Sequence, residues 1–291
     1  MNGFHTAVLL KEVVEHLKIE KGKRYIDATI GGGGHTFEIL KRGGIALGID
    51  VDQDAVEYIK EEVKSWERLT LVRGNFRDID KIASEQGFSR VSGILFDLGV
   101  SSHQLETPER GFSFQKIGPL DMRMDQELEV KALDLIKILT KGELYELLIK
   151  LGEESSAREV SRAIVSARKL RPIKTTKDLA SILEGGKVTS DYGRAMANRK
   201  VFQALRIAVN DELNALRDSL PKAVELLEER ARLLVISFHS LEDRIVKNNF
   251  IDFEKRGLGK IITEKSITPG RDELERNKRS RSAKLRVFEK N

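Results

Sequence analysis

Four consecutive glycines and three strand-tip acids are the residues of this 291-residue chain whose spacing most directly suggests chemistry. In Tyr25-Ile-Asp-Ala-Thr-Ile-Gly-Gly-Gly-Gly-His35 a short β-prone run ends in an acid and then in glycines. In Gly48-Ile-Asp50 a second apolar run ends in another acid, nineteen positions beyond Gly31. Glycines at a strand-to-helix turn let the backbone approach a ligand closely, and an acid at that distance suits the hydroxyls of a ribose. The turn Gly31–Gly34 with Asp50 therefore predicts an adenosine-type cofactor site. A bare left-handed turn would need glycine too, but four in a row at such a junction favour the ligand. The dinucleotide fingerprint wants a third glycine or alanine at a set spacing, and here Gly31-x-Gly33 runs on into Gly34, His35 and Thr36. Asp97 closes Gly93-Ile-Leu-Phe-Asp97 ahead of Leu98-Gly-Val-Ser-Ser102. A carboxylate there suits an amino group of a cofactor or an acceptor, or the cap of a following helix. Phe76 follows a third strand, where its ring can stack on adenine or fill the core. The Gln104 amide suits the cofactor's carboxylate or amino group. His239, in Ile236-Ser-Phe-His-Ser-Leu-Glu-Asp-Arg244, is a candidate general base beside a second reading, a helix start at Ser240-x-x-Asp243.

These residues need a frame that brings them together. Apolar runs at 24–28, 45–49, 69–73 and 92–97 alternate with helical patterns at 35–42, 53–65 and 78–87. That alternation predicts right-handed βαβ units and a parallel sheet, with ligands beyond the carboxyl ends of its strands. Residues 98–125 form a long turn-rich stretch in which Arg110-Gly-Phe-Ser-Phe114 and Asp121-Met-Arg-Met124 mix arginines with apolar side chains. Such a mixture suits phosphates and stacked bases, or a packed loop. From about 130 to 208 only helical periodicity is present. A helix over 210–229, a buried strand at 232–237 and two strand-like runs at 260–264 and 284–288 follow, the last two plausible as an antiparallel pair. The expectation is an α/β fold with a terminal antiparallel strand pair and an inserted all-helical domain. The boundaries fall at 1–108 with 209–291 for the sheet domain and 109–208 for the insertion.

Composition narrows the classes. With 40% hydrophobic and 33% charged residues the chain reads as a globular protein. Absence of cysteine excludes disulfides and thiolate metal sites, and the five histidines lack ligand spacing, so no metal is expected. The start Met-Asn-Gly-Phe-His has no leader pattern and no apolar stretch reaches spanning length, which predicts a cytoplasmic protein without a membrane partner. Net charge is +5, and between Arg276 and Asn291 seven Lys/Arg stand against one Glu. Apolar Leu285, Val287 and Phe288 alternate there with charge, so the segment reads as a basic strand suited to nucleic-acid phosphates.

The form Asp27-x-Thr-x-Gly-x-Gly33 resembles the turn of amino-group methyltransferases that use S-adenosylmethionine. More segments match one family: His5-x-x-Val8-Leu-Leu10, Asp97-Leu-Gly-Val-Ser-Ser102, Arg110-Gly-Phe-Ser-Phe114 and Leu120-Asp-Met-Arg-Met124. Phe202-Gln-Ala-Leu-Arg-Ile207, Val209-Asn-Asp-Glu-Leu213, Ile236–Lys247 and Arg281-Ser-Ala-Lys-Leu-Arg286 extend the likeness from His5 to about Phe288. The chain resembles the bacterial small-subunit ribosomal RNA cytosine-N4 methyltransferases of the MraW/RsmH type. The resemblance implies a Rossmann-like S-adenosylmethionine-dependent methyltransferase sheet. It also implies methylation of a cytidine N4 in the decoding region of 16S ribosomal RNA, as free RNA or small ribosomal subunit. Cofactor contacts carried over fall on Gly33, Gly34, His35, Asp50, Phe76, Asp97 and Gln104, in the pocket opened by Gly31, and the inserted domain helps to hold RNA. Asp97 is the first candidate for orienting the acceptor amino group, with Ser101 and His239 behind it. The chain departs from the family at His103, Ser155-Ser156 and Lys278, where proline, Arg-Phe and proline are usual. Two other readings are a non-enzymatic RNA-binding assembly factor on the same fold and a nicotinamide-dependent oxidoreductase, the latter opposed by the glycine spacing.

Overall fold

The computed structural model describes residues 7–63, 67–184 and 191–291; His5 of the family pattern and the end of the helix expected over 53–65 lie outside them. The chain divides into two compact units, residues 1–101 with 213–291, and residues 102–212.

The first unit is built on strands β1 (Arg24–Asp27), β2 (Ile45–Asp50), β3 (Leu69–Arg73), β4 (Val91–Asp97), β5 (Leu227–Ser237), β6 (Gly259–Ile261) and β7 (Lys284–Lys290). Their order is β3-β2-β1-β4-β5-β7-β6. The first five run parallel, and β7 is antiparallel to both β5 and β6. Helices cover a parallel sheet on both faces, which is why the strands read as continuous apolar runs. Tyr25, Ile26, Leu47, Ile49, Phe96, Leu233 and Ile236 are almost wholly inaccessible. The expected antiparallel strands are present, but β7 separates β6 from β5. The apolar β7 is buried along most of its length and needs a neighbour on each side, whereas three-residue β6 suits an edge.

Two boundaries differ from the sequence reading. The helix expected to reach 229 spans Glu212–Leu226, and β5 begins at Leu227, opposite Val91. Its first residues, Leu-Glu-Glu-Arg-Ala231, look helical in composition. They pair through a register irregularity near Val91 and Gly93, with Arg230 at φ 62°. A helix at Leu10–Leu17, which the strand-centred reading passed over, buries Val13 and Leu17 against the sheet.

Within the second unit the described residues form helices at Ser102–Glu106, Ala132–Ile138, Lys141–Gly152, Ala157–Leu170, Thr176–Glu184 and Asp191–Asn210. The long turn-rich stretch is ordered by hydrogen bonds within this unit. Thr176 Oγ1 accepts from Gly118 N–H and donates to Lys116 O, while the Asn210 amide bridges Met124 N–H and Met122 O. Arg110 is buried and donates to the carbonyls of Arg123 and Met124, and Arg123 makes a two-pronged bond to Asp121. The packed-loop reading thus describes these two arginines: their donors hold backbone and carboxylate rather than facing out toward phosphates.

Candidate functional site

The strand order reverses between β1 and β4, so connections diverge on either side and leave a crevice at the carboxyl ends. Asp27 ends β1, Asp50 ends β2, Phe76 follows β3 and Asp97 ends β4. Asp50 is the hinge of the glycine turn. Its Oδ2 accepts from Gly31 N–H at 2.8 Å and its Oδ1 from Asp52 N–H at 2.9 Å. Burial pushes its carboxyl up to about 6, although both N–H bonds pull the other way.

The glycines differ in what fills the space beside them. A Cβ on Gly33 would come within 2.6 Å of Ile59 Cδ1 and 2.8 Å of Phe37 Cζ, and one on Gly34 within 2.7 Å of Ala7 Cβ. Their side-chain positions are taken up by the protein itself. Gly31, at φ 48°, has nothing nearer than Thr29 O at 3.9 Å, so this peptide faces open space.

Behind the turn lies a polar cluster. Asp27 is 1% exposed and accepts from Thr36 Oγ1 at 2.7 Å and from Thr29 N–H at 3.3 Å. Thr29 Oγ1 in turn accepts the Asp97 N–H at 2.6 Å, tying the β1 turn to the β4 tip. His35 Nε2 lies 3.4 Å from Asp97 Oδ2, with both side chains 5% exposed. Both His35 ring nitrogens are buried without a well-aligned hydrogen bond inside the protein. Burial raises the Asp27 carboxyl, with His35 and Thr36 opposing that effect and Asp97 adding to it. The sequence reading took Asp27 as a strand-tip acid of the crevice without assigning it a contact, and it passed over Thr29 and Thr36; the signal available was the Asp-x-Thr spacing ahead of the glycines.

Asn75 caps the single turn Phe76–Asp78 by accepting from Arg77 N–H, and the half-buried Phe76 ring meets Phe96 edge-on at 5.5 Å. Phe76 is therefore fixed next to the residue preceding Asp97. Beyond Asp97, Leu98 N–H bonds Ile236 O, joining the β4 and β5 tips, and Ser101 is partly buried at the end of this unit. Gln104 lies in the second unit, 5% exposed on the short helix Ser102–Glu106.

His239 is placed differently. It caps the helix Ser240–Lys255: Nδ1 accepts from Glu242 N–H, while Glu242 Oε2 accepts from Phe238 and His239 N–H. Its Nε2 is 3.1 Å from Glu242 Oε1. Sequence reading placed the capping pair at Ser240 and Asp243, one residue too late. Asp243 instead binds Arg286 and Lys284, whose charges outweigh the effect of burial and hold its carboxyl below the usual range. Lys290 donates to the carbonyls of Glu225 and Leu227. The basic strand therefore spends its cations internally, and the exposed ones are Arg276, Lys278, Arg279 and Arg281 on the segment before it.

The S-adenosylmethionine implied by the resemblance fits these residues. An open glycine peptide, a strand-tip carboxylate with lone pairs to spare on both oxygens, and a ring beyond β3 match a nucleoside. The buried, underused His35 imidazole beside Asp97 adds polar capacity. Among the described residues no group of three or more His, Cys, Asp or Glu is arranged to hold a metal, and no helix is long and apolar enough to cross a membrane.

Residues 2–291 match the model of the MraW methylase family. The ribosomal RNA small subunit methyltransferase H of Persephonella marina is 46% identical over 97% of this chain and 98% of its own length. The protein of the same name from Lachnospira eligens is 42% identical over 98% and 97%. Among solved structures, a ribosomal RNA methylase from Streptococcus thermophilus aligns over 97% of this chain and 93% of its own, at 10% identity and a TM-score of 0.45. A putative methyltransferase from Streptococcus mutans in complex with SAH aligns over 98% and 99%, at 12% identity and a TM-score of 0.44.

Proposed function

Since the chain belongs to the MraW methylase family, we propose that it methylates small-subunit ribosomal RNA with S-adenosylmethionine, at the exocyclic N4 of a cytidine in the decoding region of 16S RNA. The observation that carries this reading is the family match along residues 2–291 on a chain whose β1 and β2 tips form a nucleoside cradle. The cofactor supplies an electrophilic methyl group on a sulfonium.

Asp50 holds the ribose hydroxyls through the lone pairs left by Gly31 and Asp52 N–H. Phe76 lies against the adenine, and the open Gly31 peptide lets the ligand approach the turn. His35 faces the Asp97 carboxylate at 3.4 Å from the β1 side, and its buried ring nitrogens, which make no well-aligned hydrogen bond inside the protein, suit it to a cofactor contact. Asp97 accepts an N–H of the acceptor amino group. The N4 lone pair is delocalised into the ring, so a carboxylate on its hydrogen raises electron density at nitrogen and stabilises the cation as the new bond forms. The N4–methyl bond would form as the sulfonium S–methyl bond breaks with its electron pair returning to sulfur, leaving S-adenosylhomocysteine, and N4 would release one proton to solvent. A paired cytidine has N4 engaged, so the base must be unpaired when presented. Ser101, just beyond Asp97, contributes a hydroxyl to the same amino group. His239 shapes the β5 side through its cap. The inserted unit, 109–208 by sequence, holds RNA.

The test is transfer of a labelled methyl group to 16S RNA and to 30S particles, followed by nucleoside mapping. Label in N4-methylcytidine supports the proposal. Label in another nucleoside removes the N4 assignment, and no transfer to either substrate removes the enzymatic reading.

A further inference from the structure

Helices Lys141–Gly152 and Ala157–Leu170 of the inserted unit leave between them a cavity of about 290 Å³ lined by Lys141, Gly142, Tyr145, Arg158, Ser161 and Arg162. Three of the six lining residues are cations and none is an acid. Lys141, Arg158 and Arg162 are exposed, and among the described residues none of the three side chains is ion-paired. Of the acids nearby, Glu159 is exposed and does not line the cavity, and three others are engaged elsewhere. Glu143 accepts from Thr140 N–H in the capping box of its own helix, Glu146 pairs with Lys150 at 2.9 Å, and Glu154 accepts from Ser156 N–H. Unlike Arg110 and Arg123, whose donors are spent on carbonyls and Asp121, these guanidinium and ammonium groups keep their donors for a ligand.

The Tyr145 ring is half-buried in the same wall, giving a flat apolar face beside the charges. Ser161 is nearly inaccessible, and its hydroxyl donates to Arg158 O, which fixes the backbone from which Arg158 projects. Unbalanced cations around a concave surface with one aromatic face match a phosphodiester whose adjoining sugar or base lies on the ring. The volume is at the lower end for a ligand site and suits one nucleotide rather than an extended segment.

We propose that this cavity binds a backbone phosphate of the RNA substrate, with Arg158, Arg162 and Lys141 on the phosphate and Tyr145 against the neighbouring nucleoside. The proposal rests on the RNA-methylase reading and locates an anchoring point for that substrate within the inserted unit.

The experiment measures binding of fluorescently labelled 16S RNA to the full-length protein over a salt series, by anisotropy. It compares wild type, Arg158→Ala with Arg162→Ala, Tyr145→Ala, and a control Lys169→Ala that removes an exposed cation of the same helix outside the cavity. All positions are surface or half-buried, and unchanged melting confirms folded variants. The double variant is expected to bind about tenfold more weakly, with a salt slope shallower by about one, while the control stays within about twofold. Tyr145→Ala loses a further few-fold that Tyr145→Phe restores. Equal affinity and equal salt slope for wild type and double variant would overturn the cavity assignment, as would an equal loss in the control. RNA binding that depends on the cavity, without methyl transfer by wild type, would leave the site standing and remove the enzymatic reading. No RNA binding by wild type would overturn both.

Discussion

Two histidines stand at strand-to-helix junctions on either side of β4, and they do opposite things. His35 follows β1 and His239 follows β5, the two neighbours of the strand that ends in Asp97. His239 Nδ1 receives the Glu242 N–H, which commits that nitrogen to starting its own helix, while its Nε2 lies 3.1 Å from the Glu242 carboxylate without a well-aligned hydrogen bond. The helix bearing His35 starts instead at Gly33, at φ 76°, without a side-chain cap. Its imidazole is left to face Asp97. The difference comes from the preceding backbone: a glycine at the cap position frees the next side chain for the crevice, whereas a histidine at the cap position is consumed by it.

The largest effect that bears on this contrast is at the acid both histidines flank. Asp97→Ala removes the acceptor for the amino group and the partner of His35, and is expected to lower single-turnover methyl transfer by about a hundredfold or more. The fold should persist, because the bond that ties the β4 tip to Thr29 uses the Asp97 backbone N–H. Transfer within a few-fold of wild type would make Asp97 a structural acid and dissolve the asymmetry between the two histidines.

Next in size is the response of the Asp50 carboxyl to pH. Ribose hydroxyls donate to the ionised form, so affinity for S-adenosylhomocysteine, read by calorimetry, should fall as pH drops through about 6, by up to tenfold per unit. The stability effect has the reverse sign. A carboxyl whose folded value is raised from 3.8 to about 6 is more readily protonated in the native state, so the unliganded protein loses stability as pH rises across that window. Asp50→Asn should lose the ligand-induced rise in Tm, and it should melt lower than wild type, because the amide keeps one acceptor oxygen and turns a donor toward either the Gly31 or the Asp52 N–H. An undiminished ligand shift in that variant would remove Asp50 from the cradle.

Much of this arrangement was legible in the chain because it depends on local rules. Apolar runs ending in Asp27, Asp50 and Asp97 gave the strands, and glycine after a strand gave the turn. What could not be read was how long-range partners divide the polar groups. Lys284 and Arg286 look like phosphate ligands until Asp243, some forty positions earlier, is placed against them. Arg110 looks exposed until the carbonyls of Arg123 and Met124 fold over it. The early start of β5 was hidden for a related reason. Leu-Glu-Glu-Arg-Ala231 has helical composition, and only pairing beside Val91 makes it a strand.

The smallest effect separates the histidines most cleanly. His239→Ala removes a side-chain cap and should cost about 1 kcal/mol, a fall of roughly 2–4 °C in Tm, with transfer at saturating substrate nearly unchanged at a temperature where the variant is folded. His239→Asn should recover most of that loss, since asparagine caps helices well and can accept the same Glu242 N–H, yet it cannot serve as a base near neutral pH. His35→Asn should show the inverse pattern, with melting close to wild type and weaker S-adenosylhomocysteine binding, because His35 supports no helix cap and faces Asp97. A His239→Asn protein that melts normally but has lost transfer would show that the cap was never the reason for that histidine, and the general-base reading of the β5 tip would return.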